Sequence, residues 1–292
     1  MKKIFDGFFT GLAWLSGLGV ILVVTLLLGF LFLHGMKSIT LTLFFGEIPW
    51  LEAITGQAPV FDGIWPALVG TALLVLLSSI LAIPVGIASG IYLSEYASRR
   101  QRAFLGWMVD FLSGTPSIVM GLFGFAMILL LRKTLVPKAQ TSLLLAAFCI
   151  ALLILPYLIR TTQAAIEGIP EHLRLLGPGI GFSKWQNIRH ILLPIAGRGI
   201  FSGIILAIGR ASEDTAVILL TGVVAHAGIP RNLWDKFEAL PFRIYYLAAE
   251  HRSASELEQG FGTALVLLSI TGLIFLTVFF LQRRAEKWWQ TR

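Results

Sequence analysis

EGIPEHLRLLGPGIGFSKWQNIRHILLPIAGRGIFSGIILAIGRASEDTAVILLTG, residues Glu167 to Gly222, is the stretch that decides the fold of this chain. Its first half is polar and basic, punctuated by Pro170, Gly177, Pro178, Gly179, Gly181 and Pro194. Its second half is an apolar run that carries Arg210, Glu213 and Asp214 inside it. Glycine and proline between hydrophobic runs mark a loop, and an apolar run of this length marks a membrane helix. A water-exposed handle therefore leads straight into a membrane helix with charges in its interior.

Outward from this stretch, apolar runs recur near 10–33, 67–94, 104–131, 141–161, 197–222 and 261–281. Each reaches the roughly 20 residues that a helix needs to cross a bilayer core of about 30 Å. The 292 residues are 56% hydrophobic and only 13% charged, against about 25% charged in soluble domains. We read an all-α polytopic membrane protein of six transmembrane helices. The runs leave no room for a separate soluble core, so residues 1–292 are expected to form one membrane domain, with a loop at 162–197. The start, MKKIFDGFFTGLAWL, is basic like a signal peptide but has no small-residue cleavage site after a short apolar core. It is expected to be a retained first helix.

Six crossings put both termini on one side. That side collects Lys2, Lys3, Arg99, Arg100, Arg102, Arg160, Arg174, Lys184, Arg189, Arg198, Arg283, Arg284, Lys287 and Arg292. The opposite loops hold Lys37, Arg132, Lys133, Lys138, Arg231, Lys236, Arg243 and Arg252. Basic residues concentrate in cytoplasmic loops, which places both termini in the cytoplasm. The net charge of +7 is thus a matter of topology, and no nucleic-acid partner is expected. Cys149 is the only cysteine, no HExxH-type histidine spacing occurs and no GxxxxGK[ST] loop is present. The chain is not expected to bind a metal or, by that route, ATP.

Smaller features refine the runs. Pro66 suits the first turn of the second helix, and Pro84 inside it frees a carbonyl. Gly86 with Gly90, and Gly199 with Gly203, form small-xxx-small faces for helix packing. Ser113 to Ser117 interrupt the third run with Gly114 and Pro116 and offer hydroxyls at Thr115 and Ser117. Non-helical backbone at membrane depth is tolerated only against protein or a wet cavity, so this is a candidate pathway lining. The loop at 34–66 is expected to fold over the outer rim. Within the handle, two short helices are expected, one over about 170–176 and one from Ser183 as N-cap to Leu193. Ile180, Trp185, Ile188, Ile191 and Leu192 share one face of this segment, which fits either a docking element or an interfacial helix.

Gly181, Lys184-Trp185 and the ending Ile191-Leu192-Leu193-Pro194 resemble the cytoplasmic loop of type I ABC importer permeases. That loop reads EAA, three residues, Gly, nine residues, I-x-L-P. IWPALVGTALLVLLSSILAIPVGIASGIYLSEYA, TPSIVMGLFGF, LIRTTQAAIEGIP and LAIGRASEDTA resemble, more narrowly, the phosphate importer permeases of the Pst type, most like the PstA branch. The resemblance implies a permease subunit, not an enzyme, that moves inorganic phosphate across a bacterial inner membrane. It implies an ABC ATPase dimer that binds ATP and Mg, a second permease, a periplasmic or lipid-anchored substrate-binding protein, and surrounding membrane lipid. No cofactor is implied in this chain itself.

By register, Leu175, Gly177, Gly181, Lys184 and Trp185 would couple to the ATPase, although the family's Glu-Ala-Ala is here Leu175-Leu176-Gly177. The pathway would use Arg210, Glu213, Asp214, Thr215, Arg160, Thr115 and Ser117, although the family's Gly-Glu-Thr-Ala-Pro is here Glu213-Asp214-Thr215-Ala216-Val217. A charge at a helix centre costs about 2.5–3.5 kcal/mol on insertion scales, so it faces a partner or a wet cavity. Glu213 and Asp214 stand at i+3 and i+4 from Arg210, within reach of an intrahelical pair. Arg210 either neutralises these acids or offers forked donors to an oxyanion. Arg160 is either a membrane anchor or an exit-side contact. Two other readings stay open: a permease for molybdate, tungstate or sulfate, and an ATP-independent carrier or channel in which Glu213 and Asp214 relay protons or bind cations.

Overall fold

The computed structural model describes residues 2–55, 57–134, 137 and 139–290. Lys138 and Arg292 of the charge tally lie outside these residues, and the side chains of Lys2, Lys3, Lys287, Trp288 and Trp289 are likewise undescribed. Helices α1 (Lys2–Gly35), α2 (Leu41–Phe45), α3 (Trp50–Thr55) and α4 (Trp65–Ile91) open the chain. A π-helical turn, Tyr92–Tyr96, ends α4, and α5 (Arg99–Ser113), α6 (Ser117–Thr134) and α7 (Leu143–Glu167) follow. The handle holds α8 (Glu171–Arg174), α9 (Leu176–Gly179) and α10 (Lys184–Asn187). A second π-turn, Ile188–Leu192, then leads into α11 (Leu193–Glu213), α12 (Ala216–Thr221), α13 (Leu240–Glu250) and α14 (Ala254–Gln290). Among the described residues the only β pairing is an isolated bridge between Val223 and Phe237.

Six helices are long and apolar enough to cross a membrane: Phe5–Ser38, Trp65–Tyr96, Ser117–Thr134, Leu143–Glu167, Lys184–Glu213 and Ala254–Arg284. The chain is thus a multi-pass membrane protein. We call the end at which α1 begins and α14 finishes the near end and the other the far end.

The third expected run, 104–131, is two helices. α5 begins earlier, because Ser98 and Gln101 form a reciprocal capping box at its start, which satisfies two otherwise orphaned N–H groups. Gly114 and Pro116 then separate α5 from α6. Trp107 lies in the middle of α5. The fifth run is also interrupted, at Asp214 and Thr215.

The handle departs from expectation at its end. Ser183 does cap α10, its hydroxyl accepting from Gln186 N–H at 3.3 Å. The helix does not stop at Leu193, however, but continues through the π-turn to Glu213. A proline clashes with the carbonyl four residues earlier, and a π-turn widens the helix at that point. Pro194 is absorbed this way, so the second half of the handle and the span are one 30-residue rod.

α7 is the centre of the bundle. Leu143, Ala146, Ala147, Cys149, Ile150, Ile154 and Leu158 are all buried on it. Gly86 and Gly90 of α4 lie on Leu158 and Thr162, and Gly199 and Gly203 of α11 lie on Ala165 and Thr161, so closely that a Cβ at any of the four would overlap α7. Both small-residue faces are packing seams, as read from the sequence. The 36–64 segment folds over the far end: Leu43 and Ile64 pack with Ala67, Leu240 and Val266.

Candidate functional site

α7 serves as a ruler for depth. Gly203 of α11 meets Thr161, and Arg210 lies seven residues further toward the far end, about 10 Å at 1.5 Å per residue. Gly124 of α6 meets Cys149 of α7, and Ser117 lies seven residues back toward the near end. Both estimates place Arg210 and Ser117 level with residues 154–156, the middle of α7. There they touch: Arg210 Nη2 donates to Ser117 Oγ at 2.9 Å. Two helix breaks, 114–116 and 214–215, thus face each other at mid-depth.

Asp214 has two tasks. Its Oδ2 lies 3.2 Å from Arg210 Nη2, and its Oδ1 accepts the Val217 N–H at 2.9 Å. The second bond caps α12 in the ordinary way of an aspartate three residues before its donor. The side chain is only 2% exposed, whereas that of Arg210 is 39% exposed. Glu213, by contrast, is exposed, and among the described residues it has no ion-pair partner. The i+4 pair forms and the i+3 pair does not. Among the described residues Nε and Nη1 of Arg210 have no hydrogen-bond partner, so part of its fork is open.

The remaining pathway candidates are placed as follows. Thr215 sits half-buried at the α11–α12 break, and Thr115 donates its hydroxyl to Phe111 O at 3.1 Å. Gly121 and Gly124 were not singled out from sequence. They let α12 lie flush on α6, with Ala216 O 3.0 Å from a Cβ at Gly121 and Thr221 Cγ2 2.5 Å from one at Gly124. Arg160 is elsewhere, its fork fully used: Nε donates to Asp110 at 2.9 Å, Nη1 to Gln163 at 2.9 Å and Nη2 to Gly106 O at 2.8 Å. It fastens α5 to α7. Among the described residues no group of three His, Cys, Asp or Glu side chains could hold a metal ion.

The handle presents a second surface. Of the five residues expected on one face, Ile188 and Leu192 are buried with Ile166, Ile169, Ala196 and Ile200. Ile180 and Trp185 are instead 70% and 54% exposed, beside the exposed Leu175 and Leu176. Gly181 turns the chain there with φ +85°, a conformation that favours glycine. Gly177 lets the backbone press on Asn187, where a Cβ would overlap the amide. Lys184 reaches back over the Tyr96 ring, 4.7 Å from its centroid. Leu175, Leu176, Ile180 and Trp185 form an apolar patch outside the bundle, on the segment that continues directly into the Arg210 helix.

A bundle with these breaks and this handle has the fold of a type I ABC importer permease. The family model described as binding-protein-dependent transport system inner membrane component matches residues 82–290, and the chain belongs to that family. A phosphate transport system permease protein PstA 1 of Mycobacterium tuberculosis (strain CDC 1551 / Oshkosh) is 32% identical over 229 residues, 78% of this chain and 73% of the relative. A phosphate transport system permease protein PstA of Pasteurella multocida (strain Pm70) is 29% identical over 283 residues, 94% of this chain and 91% of the relative. Among solved structures, a chain of the MetNI methionine ABC transporter in inward-facing conformations superimposes with a TM-score of 0.58, covering 82% of this chain and 99% of that one. At 16% identity that likeness is one of fold.

Proposed function

We propose that this chain is the permease subunit through which an ABC importer moves inorganic phosphate, with residues 1–292 as one membrane domain and both termini cytoplasmic. The carrying observation is the half-open guanidinium of Arg210 at mid-depth. One of its nitrogens is committed to Ser117 and Asp214, and the rest of the fork is free to meet an oxyanion. Asp214 would repel such an anion if it faced the pathway, but its charge is spent on Arg210 and on the α12 cap. Thr115, Ser117 and Thr215 line the two breaks, and Glu213 stands as an exposed gatepost. The contact is weak by design, because transport needs release as much as binding. Arg160 acts as a tether.

ATP and Mg are handled by a partner ATPase dimer. The patch of Leu175, Leu176, Ile180 and Trp185 receives it, with Gly181 setting the turn and Gly177 the close approach to Asn187. Rim charges contribute little to affinity, so an apolar loop residue at the family's glutamate position is compatible with docking. A second permease and a substrate-binding protein complete the transporter.

The test is uptake of radiolabelled phosphate by the complete complex in liposomes, with sulfate and molybdate as competitors. Arg210→Ala is expected to abolish uptake while all subunits still co-purify. Undiminished phosphate uptake by that variant would remove Arg210 from the pathway. Transport by this chain alone, without ATP or an ATPase, would overturn the importer reading.

A further inference from the structure

The IYLSEYA segment at the end of α4 has no role in the pathway or in the docking patch, yet it holds one of the most enclosed ion pairs on the near end. Glu95, in the π-turn, pairs with Arg174 of α8, their side chains 11% and 27% exposed. Arg174 is a hub. Its Nη1 donates to Ile166 O at 3.1 Å, and its own carbonyl accepts from Asn187 Nδ2 at 3.0 Å. One side chain therefore joins the handle, the end of α7 and the end of α4.

From Glu95 a continuous polar chain runs toward the middle of the bundle. Ser94 O accepts from Arg102 Nη2 at 2.6 Å, and Arg102 Nη1 lies 3.3 Å from Glu167. Glu167 accepts from Gln163 at 3.0 Å, and Gln163 accepts from Arg160 at 2.9 Å. Arg160 holds Asp110 at 2.6 Å. Asp110 lies in the last turn of α5, just before the break that ends at Ser117. Arg210, the partner of Ser117, rides on the other body, the rod that begins at Lys184. The Arg210–Ser117 bond thus joins two bodies, and both are anchored on the handle.

We propose that the Glu95–Arg174 pair is the link through which movement of the handle reaches α5 and Ser117, so that both partners of the Arg210–Ser117 bond are driven together. The inference rests on the importer reading, in which the handle is what the ATPase moves. Without the link the rod carries Arg210 alone, and ATP is hydrolysed while Ser117 stays behind. Glu95 and Arg174 are positioning residues, since neither touches the pathway.

The test uses the complete complex in liposomes with Glu95→Gln, Arg174→Gln and the double variant, all carrying Ile118→Cys as a reporter. Ile118 is exposed beside Ser117, and the native Cys149 is buried. Each single variant is expected to keep ATP hydrolysis but to move about tenfold less phosphate per ATP. The ATP-dependent change in thiol labelling at the reporter is expected to vanish. The double variant should lose no more than either single, because groups that act as one unit are not additive. A parental transport-to-hydrolysis ratio, a parental labelling response, or losses that add in the double variant would each overturn the link. If Arg174→Gln does not assemble, Glu95→Gln decides by the first two readings. A parent complex that moves no phosphate with ATP sinks the importer reading, while the labelling response still decides the link.

Discussion

Replacing Asp214 separates its two tasks and tests how the mid-depth site is balanced. At 3.2 Å and an effective dielectric constant of about 20, the attraction between Arg210 and Asp214 is about 5 kcal/mol before desolvation. The arginine side chain is 39% exposed, and screening and the cost of burying Asp214 reduce the net value to about 1 kcal/mol. Asp214→Asn keeps an oxygen to cap Val217 N–H but frees Arg210 of its counter-charge. A passing anion should then bind more tightly by a similar amount, about fivefold at 1.4 kcal/mol per decade. Tighter binding in the pathway slows release, so in liposome uptake kcat and KM should fall together, the pattern of a deepened ground state. Asp214→Ala also removes the cap, at about 1 kcal/mol, and should lower the thermal midpoint of the purified complex where Asp214→Asn does not. An Asp214→Asn complex whose KM rises or stays unchanged would refute the idea that this carboxylate holds Arg210 back from the anion.

Three other perturbations probe separate parts of the structure. Gly124→Val would drive a side chain into Thr221 and Cys149; overpacking of this kind costs about 1–3 kcal/mol and should lower the melting temperature in detergent, whereas Gly179→Val, which meets open space, should not. Trp185→Ala should weaken ATPase co-purification about tenfold or more, as loss of a buried aromatic anchor does, and the parental association should persist in high salt because the patch is apolar. Glu238→Gln leaves Arg243, 5% exposed, without its counter-charge at the far end. Removing one member of a buried pair costs about 3–5 kcal/mol, which faster limited proteolysis of the 222–239 segment would report.

The spans were legible because a bilayer demands length and apolarity, and both are written in the sequence. The break at 114–116 was legible as well, since Gly114 and Pro116 leave α-helix no good alternative. Pro194 misled for an instructive reason. Proline reads as a stop, but one extra residue in the preceding turn lets the helix pass it. The five apolar handle residues show what periodicity omits: it groups Ile180 and Trp185 with Ile188 and Leu192, and only the packed core shows that the latter pair is covered and the former is bare. At the site, spacing offered Arg210 two acids equally. The chain breaks after Glu213, which leaves the following Asp214 as a helix cap and turns it inward. Glu95 with Arg174 lie 79 positions apart, and the buried Glu238–Arg243 pair ties the loop before α13 to that helix, a fold that the sequence pattern did not anticipate. No local pattern announces such pairs.

The four glycines that seat α4 and α11 on α7 also set how the molecule leaks. Where a glycine backbone rests directly on the Cβ or hydroxyl of a side chain on α7, there is little soft layer to shear. A slip of one turn would force Leu158 or Thr161 into a neighbouring helix. Sliding along these seams is therefore blocked, α4 and α11 can only pivot on α7, and thermal breathing among them opens no path across the membrane. On the proposed pathway, slippage without ATP would fall to the two unwound breaks, 114–116 and 214–215, bridged by the Arg210–Ser117 hydrogen bond. If Arg210 and Ser117 line the pathway as proposed, the idle conductance would be set by how long that bond lasts.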